Sequence, residues 1–185
     1  GENEMLNITK LWCGTPSSMD NLRYGNHVHK KPVVVWNSTQ RCNLQCIHCY
    51  SNSENKTYPN ELTTQQAKGM VMDLASFGAP VLLFSGGEPL LRQDLFEVAK
   101  TATSNGIRAV LSTNGTLITP EIAGQLKDAG FSYVGVSIDG TEQTNDRFRG
   151  SPGAFKKAIQ GIRNCKAAGV KPGLRFTVTK YNYPD

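Results

Sequence analysis

The chain has 185 residues, a formal net charge of +5 and 38% hydrophobic residues. This apolar content excludes a disordered chain and is enough for one domain with a sizeable core, while the longest apolar stretches, such as residues 79–84, are far shorter than the ~20 residues of a membrane span. Its lysines and arginines are scattered with no interleaved aromatic side chains, so we expect a solvated surface or the entrance to an anionic small-molecule site, and no nucleic-acid or membrane partner.

The first 31 residues show no clean hydrophobic period, and we interpret them as an N-terminal leader to a core over residues 32–185. The core begins with residues 33–36, a continuous apolar run that predicts a strand buried on both faces. A capping box from Thr63 to Gln66 then begins an amphipathic helix, which Gly78 ends.

Strands and helices alternate along the rest of the core. Further strands are predicted over residues 80–84, 107–111 and 133–138, and a fifth where Leu174, Phe176 and Val178 alternate with polar residues. Helices are predicted from Leu95 to a stop at Gly106, from the cap at Thr119 and Pro120 to Gly130, and from Phe155 to an end near Gly169. This order predicts an α/β fold, with helices outside a parallel sheet and site residues at the carboxyl ends of the strands.

The number of repeats limits how far a barrel can close. A complete eight-fold barrel needs ~250 residues, more than this chain has. We therefore expect a partial (β/α) barrel that is truncated after strand five, because the sequence shows no helix to cover that strand.

Three of the five cysteines, Cys42, Cys46 and Cys49, follow the first predicted strand. An odd number of cysteines with three in one short loop favours a metal site in a reducing, cytoplasmic compartment over a disulfide framework. A structural zinc ion would need a fourth ligand, for which His48 is the nearest candidate. An iron–sulfur cluster normally takes four cysteines, so three would leave one iron open to a reacting ligand. Unligated structural cysteines are the third possibility, and Cys13 and Cys165 are expected to be structural.

Small polar residues and glycines follow the next three predicted strands, at residues 85–89, 112–115 and 137–140. Glycine allows a backbone to approach a ligand closely, and such segments are also common as ordinary turns. The segment at 85–89 lacks the Gly-Lys-Ser/Thr of a phosphate loop and the spacing of a dinucleotide fingerprint.

The Cys-x3-Cys-x2-Cys loop and the Gly-Gly-Glu-Pro segment together resemble the signature of the radical S-adenosylmethionine (SAM) enzymes. The resemblance implies that Cys42, Cys46 and Cys49 hold a [4Fe–4S] cluster whose fourth iron binds SAM. It also implies cleavage of SAM to a 5′-deoxyadenosyl radical that takes a hydrogen atom from the substrate, with the electron supplied by a donor such as ferredoxin or flavodoxin.

The same resemblance implies which residues contact SAM. His48 would lie against the adenine, and Arg149 would pair with the SAM carboxylate through its guanidinium fork. Many relatives carry His where Asn145 stands in this chain. The remaining contacts would come from residues at the strand ends: Ser85, Gly86, Gly87, Glu88, Pro89, Ser112, Asn114, Ser137 and Asp139.

Four longer segments resemble one group within this family: residues 8–14, 22–25, 31–37 and 77–85. This group comprises the radical SAM enzymes of the siroheme-dependent heme pathway (12,18-didecarboxysiroheme deacetylase) and of heme d1 biosynthesis. This narrower resemblance implies an iron tetrapyrrole substrate that loses acetate side chains, and an auxiliary cluster in a further C-terminal region. The alternatives are a peptide-modifying radical SAM maturase and a zinc-binding structural module.

Overall fold

Five parallel strands form one sheet in the order β1-β2-β3-β4-β5. The computed structural model describes residues 31–185, so the leader predicted at residues 1–31, apart from Lys31, and the role of Cys13 lie outside the described residues. The strands are β1 (Val34–Thr39), β2 (Val81–Gly86), β3 (Arg108–Thr113), β4 (Tyr133–Ser137) and β5 (Pro172–Arg175). The predicted α/β fold with a parallel sheet is confirmed, and the sheet is not closed into a barrel.

Five helices connect the strands: α1 (Thr64–Phe77), α2 (Leu95–Ser104), α3 (Pro120–Asp128), α4 (Glu142–Arg149) and α5 (Ala154–Ala167). A 3₁₀ turn, Pro89–Leu91, precedes α2. The sequence predicted four of the five helices but not α4, because α4 has no apolar stripe. Its buried residues are Asn145, Phe148 and Arg149, so polar side chains form most of the face that packs inward. None of the helices in the described part of the chain is long and apolar enough to cross a membrane.

Local side-chain chemistry sets the helix ends that the sequence predicted. The Thr63 hydroxyl accepts from the Gln66 amide at 3.3 Å, and the Gln66 side chain accepts from the Thr63 amide at 2.9 Å, which completes the capping box of α1. Gly78 ends α1 with φ of 83°, a conformation that glycine adopts at little cost. Thr119 caps α3 through the Ile122 amide, and Pro120 is the first helical residue.

One face of the sheet packs against the helices and forms the core. Leu82, Phe84, Leu111, Val134 and Val136 are fully buried there among apolar residues of α1, α2, α3 and α5. Cys165 of α5 belongs to this core with no exposed surface, which confirms its predicted structural role. Burial raises the pKa of the Cys165 thiol to about 11.

The first and last strands depart from their predictions. Burial of β1 on both faces is wrong, because Val34 and Trp36 pack against the core whereas Val35, on the face that the helices do not cover, is 58% exposed. The alternating pattern predicted β5 through Val178, whereas the strand ends at Arg175. Beyond it the chain turns toward the end of β4, where the Thr177 amide donates to Asp139 Oδ1 at 3.3 Å.

Candidate active site

The loop that carries the three cysteines, residues 40–50 (the cysteine loop), is bonded to the turn that follows β2, residues 86–88 (the glycine turn). The Gly87 amide donates to the Thr39 carbonyl at 2.7 Å, and the Glu88 amide donates to the Arg41 carbonyl at 2.8 Å. A Cβ on Gly86 or Gly87 would overlap these same backbone segments, at the oxygen of Thr39 or Arg41 respectively. Gly86 also has φ of 135°. The two glycines are therefore needed for contact between two protein backbones directly before Cys42.

The carboxylate of Glu88 links the glycine turn to the end of β3. It has no exposed surface and accepts from Thr113 Oγ1 at 2.7 Å, from the Asn114 amide at 2.8 Å and from the Leu90 amide at 3.2 Å. Burial raises the pKa of Glu88 above its usual value, while these hydrogen bonds oppose the rise. Thr113 was not among the predicted site residues, and a hydroxyl directly before Asn114 at a strand end was the only signal for it.

Asn114 connects the β3 end to the cysteine loop. Its Nδ2 donates to Asn43 Oδ1 at 2.9 Å, and Asn43 Nδ2 donates in turn to Thr116 Oγ1 at 3.0 Å. Asn114 Oδ1 also accepts from the Thr116 amide at 2.9 Å. Asn43 lies between Cys42 and Cys46, and sequence reasoning missed it because nothing local indicates a partner 71 residues away.

The carboxyl end of α4 holds the other side of the cysteine loop. The Gln45 amide donates to the Arg149 carbonyl at 3.3 Å, and the Ile47 amide donates to the Phe148 carbonyl at 2.9 Å. Carbonyls at a helix end lack partners within the helix, so these bonds satisfy both the helix end and the loop. Gly150, with φ of 62°, lies so close that a Cβ there would overlap the Gln45 carbonyl oxygen.

A buried charged cluster centred on Asp139 lies beside the cysteines. Asp139 is 1% exposed and forms an ion pair with Arg149, and its Oδ2 lies 3.2 Å from His48 Nε2. Asn145 Oδ1 accepts from the Asp139 amide at 3.0 Å. Arg149 Nη1 is 3.7 Å from Cys46 Sγ, so one guanidinium contacts both the carboxylate and a thiol.

The three thiols lie in different electrostatic surroundings. Burial raises the pKa of Cys42 to about 11, and it also raises the pKa of Cys46 even though the adjacent Arg149 opposes the rise. Burial would likewise raise the pKa of Cys49, but hydrogen bonds from Ser51 and Ser53 outweigh it and lower that pKa. Cys49 is therefore the thiol most readily converted to the thiolate that binds metals.

The three cysteines of the loop are the candidate ligands of an iron–sulfur cluster. Within residues 31–185, no three His, Cys, Asp or Glu side chains are grouped so that they could hold a single metal ion. A cluster of several irons spans a wider space than one ion, and thiolates are its usual ligands. Arg149 beside Cys46 supplies a positive charge that offsets part of the charge of the thiolates.

The predicted SAM-binding residues all lie at the carboxyl end of the sheet or on α4. Ser85, Ser112 and Ser137 are half-buried at the ends of β2, β3 and β4. Pro89 begins the 3₁₀ turn that Glu88 caps. His48 packs against Phe148, with 5.3 Å between ring centroids. The roles of these residues toward SAM remain predictions.

Residues 36–184 match the family model of the Radical SAM superfamily. The chain belongs to this superfamily. Membership implies SAM and an iron–sulfur cluster, in agreement with the cysteine loop. A crystal structure of Streptococcus suis SuiB bound to S-adenosylmethionine has the same fold over 82% of this chain and 35% of that protein, with a TM-score of 0.69 at 19% identity.

Three curated relatives differ in their degree of similarity. The chain is 53% identical over 193 residues to Fe-coproporphyrin III synthase of Methanosarcina barkeri, covering 98% of this chain and 48% of that protein. It is 51% identical over 152 residues to pre-heme d1 synthase of Dinoroseobacter shibae, covering 82% and 38%. Identity to mycofactocin maturase of Mycobacterium tuberculosis is 39% over 146 residues, covering 78% and 37%. The chain thus spans less than half the length of each relative. The expected resemblance to heme and heme d1 enzymes is confirmed.

The variant Glu88→Gln tests whether the buried carboxylate organises the site. An amide offers one acceptor oxygen and places an NH₂ group against a backbone or hydroxyl donor, so we expect the free energy of unfolding to fall by about 1–3 kcal/mol in urea titrations. Asp73→Asn, which removes a carboxylate from the exposed surface of α1, is the control and should remain close to wild type. Equal stability of Glu88→Gln and wild type would contradict the role of Glu88.

Proposed function

We propose that the protein uses a [4Fe–4S] cluster, held by Cys42, Cys46 and Cys49, to cleave SAM, and that its substrate is an iron tetrapyrrole. The observation that carries the proposal is that the glycine turn is bonded directly to the backbone before Cys42 in a chain that is 53% identical to Fe-coproporphyrin III synthase. The first part of this observation supports the cofactor chemistry, and the second supports the substrate class.

The cofactor supplies the reactive chemistry, and the protein positions it. A cluster held by Cys42, Cys46 and Cys49 would supply one-electron reductive cleavage of SAM, with the electron drawn from a reductant of the ferredoxin or flavodoxin class. The chain's own contribution begins with the cysteine loop, which Thr39, Arg41 and Asn43 hold in place before any ligand arrives.

The charged cluster beside the thiols has a second role in this proposal. Three thiolates carry a large negative charge, and Arg149 lies close enough to Cys46 to offset part of it. Asp139 fixes that guanidinium in position from a buried site. His48, Ser85, Ser112 and Ser137, on the rim of the same end of the sheet, are proposed to contact SAM.

An iron tetrapyrrole is favoured over a peptide as the substrate. The relatives named for Fe-coproporphyrin III and pre-heme d1 are 53% and 51% identical to the chain, whereas the mycofactocin maturase is 39% identical. We propose 12,18-didecarboxysiroheme as the substrate, with removal of its acetate side chains as the reaction. A net charge of +5 complements such a polyanion.

Deoxyadenosine release tests this proposal. The protein is reconstituted anaerobically with iron and sulfide, reduced with SAM, and assayed with and without didecarboxysiroheme. We expect 5′-deoxyadenosine to form and its rate to rise with the tetrapyrrole, because a bound substrate captures the radical productively. Formation that the tetrapyrrole leaves unchanged would contradict the substrate. A colourless protein that takes up zinc in place of iron and sulfide would contradict the cofactor.

The variant Cys46→Ala tests the ligand assignment. Removal of one of three protein ligands should abolish the brown absorbance of the reconstituted cluster and SAM cleavage together. Cys165→Ala is the matched control, because Cys165 lies in the core of α5 and should affect neither property. Cluster absorbance and SAM cleavage would be measured on both variants, and an equal loss in the two would refute the assignment.

A further inference from the structure

Arg175 lies at the end of β5 on the face of the sheet that the helices do not cover. In the β4–β5 register it pairs with Ser137, one of the three strand-end serines. Successive side chains of a strand point to opposite faces. Because Val134 and Val136 point into the core under the helices, Tyr133, Gly135 and Ser137 point to the uncovered face, the inner face of the partial barrel.

Two glycines make room on this inner face for Arg175 and for a tyrosine. A Cβ on Gly135 would overlap Nε of Arg175 and would lie 3.2 Å from Cε1 of Tyr133. A Cβ on Gly173, the register partner of Gly135, would overlap the hydroxyl of Tyr133. The guanidinium and the phenol therefore lie side by side over Gly135 and Gly173, which have no side chains.

The guanidinium of Arg175 has no partner within residues 31–185, although it is half-buried. The guanidinium of Arg149, beside Cys46, is already paired with Asp139. A partly buried guanidinium with a hydroxyl beside it is suited to bind a carboxylate, because its planar fork can donate two parallel hydrogen bonds to one carboxylate.

We propose that Arg175, with the hydroxyl of Tyr133 beside it, binds a carboxylate side chain of the substrate. This inference rests on the proposed function, since it requires a carboxylate-bearing substrate such as an iron tetrapyrrole. A carboxylate held there would lie over Gly135, two residues before Ser137 on β4, and so deeper in the partial barrel than the strand-end serines proposed to contact SAM. The carboxylate of SAM is the other possible source, and separate measurements of tetrapyrrole and SAM affinity distinguish the two.

The test compares tetrapyrrole binding with SAM binding in reconstituted wild type and variants. Didecarboxysiroheme affinity is measured by difference absorbance, and SAM affinity by equilibrium dialysis of labelled SAM. We expect Arg175→Gln to weaken tetrapyrrole binding about tenfold or more and Arg175→Lys to restore part of the loss, because a charge-assisted hydrogen bond is removed and then partly replaced. Tyr133→Phe should cause a smaller loss. SAM affinity should stay within about twofold of wild type in all three variants.

Lys157→Gln is the matched control, since it removes one positive charge from the exposed surface of α5. It should leave tetrapyrrole affinity unchanged, which would exclude an effect of net charge alone. Unchanged tetrapyrrole affinity in Arg175→Gln, or a loss confined to SAM, would overturn the assignment of Arg175 while leaving the proposed function standing. Failure of wild type to bind the tetrapyrrole would overturn both.

Discussion

The contact between the glycine turn and the backbone before Cys42 is the constraint on which the rest of the site depends. Two amides of the turn donate to the carbonyls of Thr39 and Arg41, and no side chain larger than hydrogen fits at Gly86 or Gly87. This contact fixes where the cysteine loop leaves β1. Because backbone bonds make it, its geometry does not depend on a bound ligand.

The charged side chains around the cysteine loop are arranged so that they suit a negatively charged cofactor. Glu88 is wholly buried, and its carboxylate accepts hydrogen bonds from Thr113 and Asn114 at the end of β3. Asp139 is also buried, but it is paired with Arg149, which reaches Cys46. Burying a charge is tolerable only when it is paired or hydrogen-bonded, and both carboxylates meet that condition. The thiols therefore lie beside a cation, and both carboxylates have a hydrogen-bonding or charged partner.

The sequence predicted those parts of the fold and site that local chemistry determines. The capping box of α1 and the strand-end position of the cysteine loop follow from neighbouring residues. Helix α4 was missed because its buried face is largely polar, and the exposure of β1 was missed because a continuous apolar run does not show that the helices cover only one face of the sheet. The pairs Asn43–Asn114 and Asp139–Arg149 could not be predicted, since topology alone brings them together.

Amide hydrogen exchange in the cluster-free protein tests the central claim most directly, namely that the cysteine loop is organised before the cofactor binds. The amides to follow by NMR are those of Gly87 and Glu88, which bond to the chain before Cys42, and those of Gln45 and Ile47, which bond to α4. The account predicts that all four exchange much more slowly than in an unstructured chain. Exchange at unstructured rates, with protection appearing only after reconstitution of the cluster, would contradict it.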